Sequence, residues 1–386
     1  MTPARQRRST LSAVALLALA ACSSQDVPVP GASAPRAWER LATPSSAMPA
    51  VRGQRPVRGI VHAHSPYSHD ACDGAGLDAG GVPVADCAAD LRRGMCEAAE
   101  DYVMLTDHPA FMAAADFPDL LYMGAEDTPV LGGDGAPIAN RLRCEGGREV
   151  LVMNGFEDEL MAIGLERHAP GTPEEREELY NQTDVATSVA IRAAGGVVGL
   201  AHTESRDPAF LAAVDVDTIE IYNLHAALDP DIRGDFLGLD PLAPIANLLP
   251  LFSADAGAPE PDMAFLLFFE ELPIYLERFD ALLGARRVAG TGGTDVHQNA
   301  LPGMMADGER GDSYRRLMRW FSNVLLMDGE LTPASAKAAI AAGRGYLAFE
   351  ALGTPTGFDL RAEAAGAVTE LGGTAPVGAT IVAEAP

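Results

Sequence analysis

Val61-His62-Ala63-His64 sets two imidazoles at i and i+2 directly behind the apolar run Gly59-Ile60-Val61. On an extended strand such positions share a face, so both rings reach one point, and imidazole is the side chain most often found on metals. His69 and Asp70 follow closely enough to offer a third ligand. Two histidines on a surface strand are common, so the motif gains its weight from recurrence. Further apolar runs end the same way.

Residues 58–61, 102–106, 149–153, 196–201, 218–222 and 288–291 read as strands. Behind the second stand Asp107 and His108, behind the third Glu157, behind the fourth His202, and behind the last, past a glycine turn, Asp295 and His297. The fifth carries Glu220 within it and Asn223 and His225 behind it. Five of the eight histidines stand at strand ends, where random placement would scatter them. Helix signals alternate with the strands: residues 87–99, a start at Thr172-Pro173-Glu174-Glu175, residues 185–194 and residues 207–214. The alternation predicts an α/β fold whose active face lies at the carboxyl ends of parallel strands.

Mixed His, Asp and Glu ligands suit Zn²⁺, Mn²⁺ or Fe²⁺ better than Ca²⁺. The candidates outnumber the ligands one ion needs, so two or three divalent cations are expected, with Glu157 placed to bridge. Clustered cations acidify a shared water and stabilise the entering and leaving oxygens of phosphoryl transfer.

The series His-x-His with Tyr67-Ser68-His69-Asp70, Thr106-Asp107-His108, Gly155-Phe156-Glu157, Ala201-His202, Ile219-Glu220 with Asn223, and Thr294-Asp295 with His297 resembles the polymerase and histidinol phosphatase (PHP) family. The motifs run in order from Val57 to His297, with trailing helical segments to about Gly345. The resemblance implies a distorted (β/α)7 barrel and a bi- or trinuclear metal centre hydrolysing phosphate esters. Carried over, the metal ligands are His62, His64, Asp70, His108, Glu157, His202, Asp295 and His297, and Asp295 also serves the nucleophile. The third ligand lies five or six positions beyond the second histidine among members, so His69 is the alternative to Asp70. A His or Cys usual before the Glu-x-x-Asn strand has no match; Asp215 lies nearest, and His225 could compensate from the other side.

The ends are less informative. Arg5, Arg7 and Arg8 precede a short apolar stretch, the layout of an export signal, and Leu19-Ala20-Ala21-Cys22 resembles a lipobox. Residues 1–22 are therefore expected to be a lipoprotein signal with Cys22 lipidated, holding the protein in a bacterial cell envelope. Ser23 after that cysteine points to the outer membrane, facing the periplasm. Residues 23–56, rich in Pro, Ala and Ser, read as a flexible tether, residues 57–345 as the barrel with a helical insertion at 229–287, and residues 346–386 as a short β appendage. Cys72, Cys87, Cys96 and Cys144 allow three pairings; Cys72–Cys87 with Cys96–Cys144 is preferred because the first pair brackets one Gly/Asp-rich loop. A net charge of −26 disfavours nucleic acid as a partner, and keeping the protein soluble is its plainest role.

Each remaining candidate has a plainer reading beside the functional one. Asp107 either orients His108 and its neighbours or caps a helix, and Tyr67 and Ser68 either touch substrate or pack a turn. Arg310, Arg315, Arg316 and Arg319 could clamp a phosphate, but a solvated helix face over residues 313–326 is preferred. Asn299 is a possible substrate contact, and His168 reads as exposed. The function expected is a metal-dependent phosphoesterase acting on a small phosphorylated substrate. An amidohydrolase is the first alternative, though Lys337, the one lysine, lies outside the barrel pattern. A non-catalytic metal- or glycan-binding lipoprotein is the second.

Overall fold

The computed structural model describes residues 39–253, 255, 257–350 and 353–385. The expected signal, Cys22 and the start of the expected tether lie outside the described residues. Residues 39–56 do not hang free: Ala42, Ser45, Met48 and Gln54 are buried, and Ala42 N donates to the Glu97 carbonyl at 3.3 Å. Two small apolar residues give this Pro/Ser-rich stretch a footing that its composition conceals.

At the centre lie three parallel strands, β1 (Arg55–Ile60), β2 (Tyr102–Leu105) and β5 (Glu149–Glu157), paired in the order β1-β2-β5. All but the first residues of β1 and β5 are buried, as befits strands covered on both faces. Antiparallel strands flank them. On one side β10 (Phe321–Met327) pairs with β1, and β11 (Gly345–Phe349) with β10. On the other, β3 (Thr128–Leu131) and β4 (Pro137–Arg143) form a hairpin against the start of β5, while β6 (Met161–Leu165) pairs with its end and carries β7 (Val197–Gly199). A second sheet is the parallel pair β8 (Thr218–Asn223) and β9 (Ala289–Gly293).

The fold is thus mixed α/β, and its ladders form an open nine-stranded sheet and separate smaller ones, not one closed barrel. Backbone hydrogen bonds outside these ladders cross the gaps. Leu200 N donates to Thr218 O at 3.1 Å, and beyond β1 and β9 Asp295 N donates to His62 O at 2.9 Å and His64 N to Val296 O at 3.0 Å. These last two bonds bring both ends of the sequence motif series side by side.

The helix Ala85–Glu97 is bridged to the body by both disulfides, Cys72–Cys87 and Cys96–Cys144, the expected pairing. The helix Pro173–Tyr180 begins in a capping box between Thr172 and Glu175. Residues 229–287 hold short helical turns and the helix Pro273–Leu283. A three-stranded sheet, β12 (Asp359–Ala364), β13 (Ala367–Glu370) and β14 (Thr380–Glu384), ends the described chain.

The arginine stretch departs from expectation. Its helix is short, Tyr314–Met318, and β10 follows at once. Arg315 and Arg316 are buried, both bound to Asp262, with Arg315 also on Glu309 and Arg316 on Asp307. Buried guanidinium groups need such fixed carboxylate partners, and these arrive from distant loops that a helix wheel does not show. His168 is half-buried, its Nε2 at 3.0 Å from the Ala115 carbonyl and its Nδ1 at 3.3 Å from the Tyr180 hydroxyl.

Candidate metal centre

The chain leaving β1 delivers His62 and His64, that leaving β2 delivers His108, and the last residue of β5 is Glu157. His202 follows β7, and Asp295 and His297 follow β9. His202 and Asp295 both hold left-handed backbone, at φ 51° and 53°, which turns each side chain off its strand line. All of these residues meet at one face.

The imidazoles share one arrangement. Each Nδ1 has a fixed partner: Glu220 Oε1 at 2.7 Å for His62, Ser68 Oγ at 3.0 Å for His64, and the Glu157 carbonyl at 2.8 Å for His108. Glu204 Oε1 at 3.1 Å serves His202, and the Asp295 carbonyl at 2.8 Å serves His297. Acceptors on Nδ1 fix the tautomer that leaves the Nε2 lone pair inward, the way proteins present histidine to a metal.

The Nε2 atoms crowd together. Those of His62 and His64 are 3.1 Å apart. Asp295 Oδ1 lies 3.3 Å from His62 Nε2, 3.1 Å from His64 Nε2 and 3.3 Å from His297 Nε2, and Asp295 Oδ2 lies 3.1 Å from His202 Nε2. Asp70 Oδ2 lies 3.1 Å from His297 Nε2 and 3.4 Å from His108 Nε2. Asp295 Oδ1 is nonetheless buried without a hydrogen-bond partner. An orphaned carboxylate oxygen among inward imidazole nitrogens is the donor set a divalent cation satisfies, so the residues fit one.

Three overlapping sets have ligand atoms within 4.8 Å of one another: His64, Asp70, His108 and His297; His62, His64 and Glu157; and His225, Asp295 and His297. Asp70 joins such a set, while His69 is exposed and reaches only the His108 ring, centroid to centroid at 4.9 Å. His225 lies against the His297 ring, centroids 4.7 Å apart. Asp215 is elsewhere, paired with Arg192 at 2.7 Å. Asn299 donates to the Asp70 carbonyl at 3.2 Å from an exposed position.

Supporting contacts are dense. Glu220 Oε2 accepts from His202 N at 3.1 Å and Asn223 Nδ2 at 3.0 Å, and the same Asn223 amide reaches Asp295 Oδ2 at 3.2 Å. Asp107 holds Ser65, accepting from its N at 2.5 Å and its Oγ at 2.6 Å, so it fixes the turn after His64 and caps no helix. Burial pushes the Asp107 carboxyl up to about 6. Imidazoles of one cluster are driven in opposite directions. Burial and then the neighbouring His297 push His64 well down, whereas for His62 burial is outweighed by the Asp295 and Glu220 carboxylates, which lift it to about 9.

Glu204 and Tyr314 did not stand out in the sequence. Glu204 sits two residues past His202, the spacing of the His-x-His motif, and that echo was its one signal. Tyr314 donates to the His64 carbonyl at 2.8 Å from far along the chain, and no local pattern marks it.

No protein-family model matches the chain, and no curated protein sequence matches it. Among solved structures, PsfC from Pseudomonas syringae PB-5123 is 13% identical with a TM-score of 0.41, covering 77% of this chain and 92% of its own. A two-domain protein from Bacteroides vulgatus, described as containing a predicted PHP-like metal-dependent phosphoesterase, is 15% identical with a TM-score of 0.39, covering 82% and 70% respectively. Likenesses of this size carry no argument. The case for the site rests on its own geometry.

Proposed function

We propose that the chain is a metal-dependent hydrolase of phosphate esters, using two or three divalent cations, Zn²⁺, Mn²⁺ or Fe²⁺. One observation carries the reading: imidazoles anchored at Nδ1 turn their Nε2 atoms on Asp295 and Asp70. His62, His64, Glu157 and Asp295 would hold one cation, and Asp70, His108 and His297 a second. Glu157 and His202, whose Oε1 and Nε2 are 3.8 Å apart, would reach a third. Such ions, when bound, lower the pKa of water and neutralise charge building on phosphoryl oxygens.

The chain's own residues do the rest. Asp295 is held at Oδ2 by Asn223, and its unpartnered Oδ1 would be available to hold a cation or to orient the attacking water. Glu220 fixes His62 and the His202 backbone together, so both ligands keep their aim. The buried floor of His62, His64 and Asp295 excludes bulk solvent and strengthens each electrostatic contact. The phosphoester class comes from the ordered motif series. The same reading places β1, β2, β5, β7, β8 and β9 among the strands of a distorted (β/α)7 barrel completed by the hydrogen bonds beyond its ladders. With Cys22 lipidated, the enzyme would sit on the outer membrane facing the periplasm, meeting small phosphorylated compounds.

The amidohydrolase alternative has lost a part. Lys337 Nζ is engaged by Glu166 Oε1 at 2.8 Å and the Gly195 carbonyl at 2.5 Å, and so is not offered to the centre. The test is metal analysis of the purified protein beside turnover of phosphomonoesters, phosphodiesters, amides and lactones, with and without chelator. Chelator-sensitive phosphoester cleavage is expected. A metal-replete protein that turns over none of these esters would sink the proposal in favour of a binding protein.

A further inference from the structure

The turn after Asp70 is held in an unfavourable conformation. Cys72, Asp73 and Gly74 take positive φ in succession, at 56°, 58° and 73°. Left-handed backbone at non-glycine residues is unfavourable and persists where surroundings over-determine it. Three restraints do so here. Cys72 is bridged to Cys87 on the helix Ala85–Glu97. Asp73 takes a two-pronged pair from Arg310, at 2.9 and 3.0 Å. Cys72 N and Asp73 N donate to the carbonyls of His297 and Gln298, at 2.9 and 3.1 Å.

The last contacts matter most, because His297 and Asp70 face each other across 3.1 Å. The backbone two residues past Asp70 is thereby stitched to the backbone of His297. Gln298, next along, is itself left-handed at φ 60°, and Arg310 Nη2 also donates to its carbonyl at 3.2 Å.

We infer that the Cys72–Cys87 disulfide, seconded by the Arg310–Asp73 pair, is a positioning clamp that holds Asp70 against His297 and so sets the affinity of the cation position formed by Asp70, His108 and His297. This rests on the metal-centre reading and adds selectivity to it. The position formed by His62, Glu157 and Asp295 lies on strand ends laced by their own hydrogen bonds and does not depend on the bridge. The Cys96–Cys144 disulfide ties the far end of the same helix beside Arg148 and serves as the control.

The experiment measures Zn²⁺ or Mn²⁺ bound per chain, and its affinity by chelator competition, in the full-length protein. Cys72→Ser/Cys87→Ser should lose one equivalent, or bind it at least tenfold more weakly. Asp70→Asn added to that variant should act on that same equivalent and on no other, since clamp and ligand act on one position. Cys96→Ser/Cys144→Ser should keep the full complement. Arg310→Met leaves both bridges intact, so it covers the case in which the double serine variant does not fold, and it should weaken the same equivalent by a smaller factor. Unchanged stoichiometry and affinity in both the Cys72/Cys87 and Arg310 variants would overturn the inference while leaving the metal centre standing. Wild-type protein that binds no cation would remove the proposed function and this inference together.

Discussion

Two of the clusters of buried charge in this molecule are built on opposite terms. Around Asp262 and Glu309 the carboxylates meet guanidinium groups: Arg315 and Arg316 on Asp262, and Arg315, Arg40 and Arg93 on Glu309. Guanidinium keeps its charge at any ordinary pH, so that cluster is neutralised from within. Around Asp295 and Asp70 the partners are imidazoles, and their outward nitrogens are already committed. Their inward nitrogens face the carboxylates, so potential metal donors of both kinds point at one another. Both clusters include acidic sets close enough for a cation, Glu260, Asp262 and Asp307 among them. Only in the second does the positive charge ride on titratable imidazoles, such as His62 with its pKa lifted to about 9, whose Nε2 protons a cation would displace. Proximity of acids is therefore a poor sign of a metal site, and the nature of their neighbours is a good one.

The contrast can be broken at either cluster. The largest effect is expected from Asp295→Asn, which should cut phosphoester turnover at least about a hundredfold, the scale of losing one preorganised charge-stabilising group. Metal analysis should show cation loss with it, while circular dichroism stays native. Asp262→Ala should do the reverse. Removing the carboxylate they share leaves two buried guanidinium groups each one partner short, at a cost of up to about 3–5 kcal/mol, read as a lowered denaturation midpoint, with bound metal per folded chain unchanged. Glu220→Gln keeps the shape around His62 but weakens its anchor, so metal affinity should fall about 10–100-fold in a chelator competition. Equal affinity would show that Glu220 does not aim the ligand.

A smaller effect concerns acid stability. Burial opposes charge on Glu309, but hydrogen bonds from Arg315 and Ser313 prevail and hold its pKa down to about 2, against an ordinary 4.5. A depressed carboxylate stabilises the fold fully above its unfolded value. That contribution should drain as pH falls from about 4.5 toward 2. Glu309→Gln should flatten this part of a stability–pH curve; an unchanged slope would assign the acid sensitivity elsewhere.

Much of the candidate site could be read from the chain because its candidate ligands stand where strands end, and apolar runs closed by His or Asp are local signals. Glu220 and Asn223 were legible for the same reason, though their task, bridging His62, His202 and Asp295, needed coordinates. The antiparallel strands Met161–Leu165 and Phe321–Met327 were not legible. Met161–Leu165 is buried throughout, and so shows no alternation, and it follows Glu157 across a turn whose acids drew attention to the site instead. Phe321–Met327 is likewise buried along its length, its polar Ser322 and Asn323 included, and a short run without alternation fits a helix as readily as a strand. The arginines misled because charge reveals nothing about a partner that arrives from a distant loop.

The left-handed turns at His202 and Asp295 carry a last consequence. Both residues sit in a backbone conformation that the unfolded chain avoids, so folding alone does not favour either side-chain direction. The molecule is more strained at its working face than it needs to be merely to fold. Selection for sturdiness alone would drift toward glycine or asparagine at these two points, and would blunt the centre as it did so.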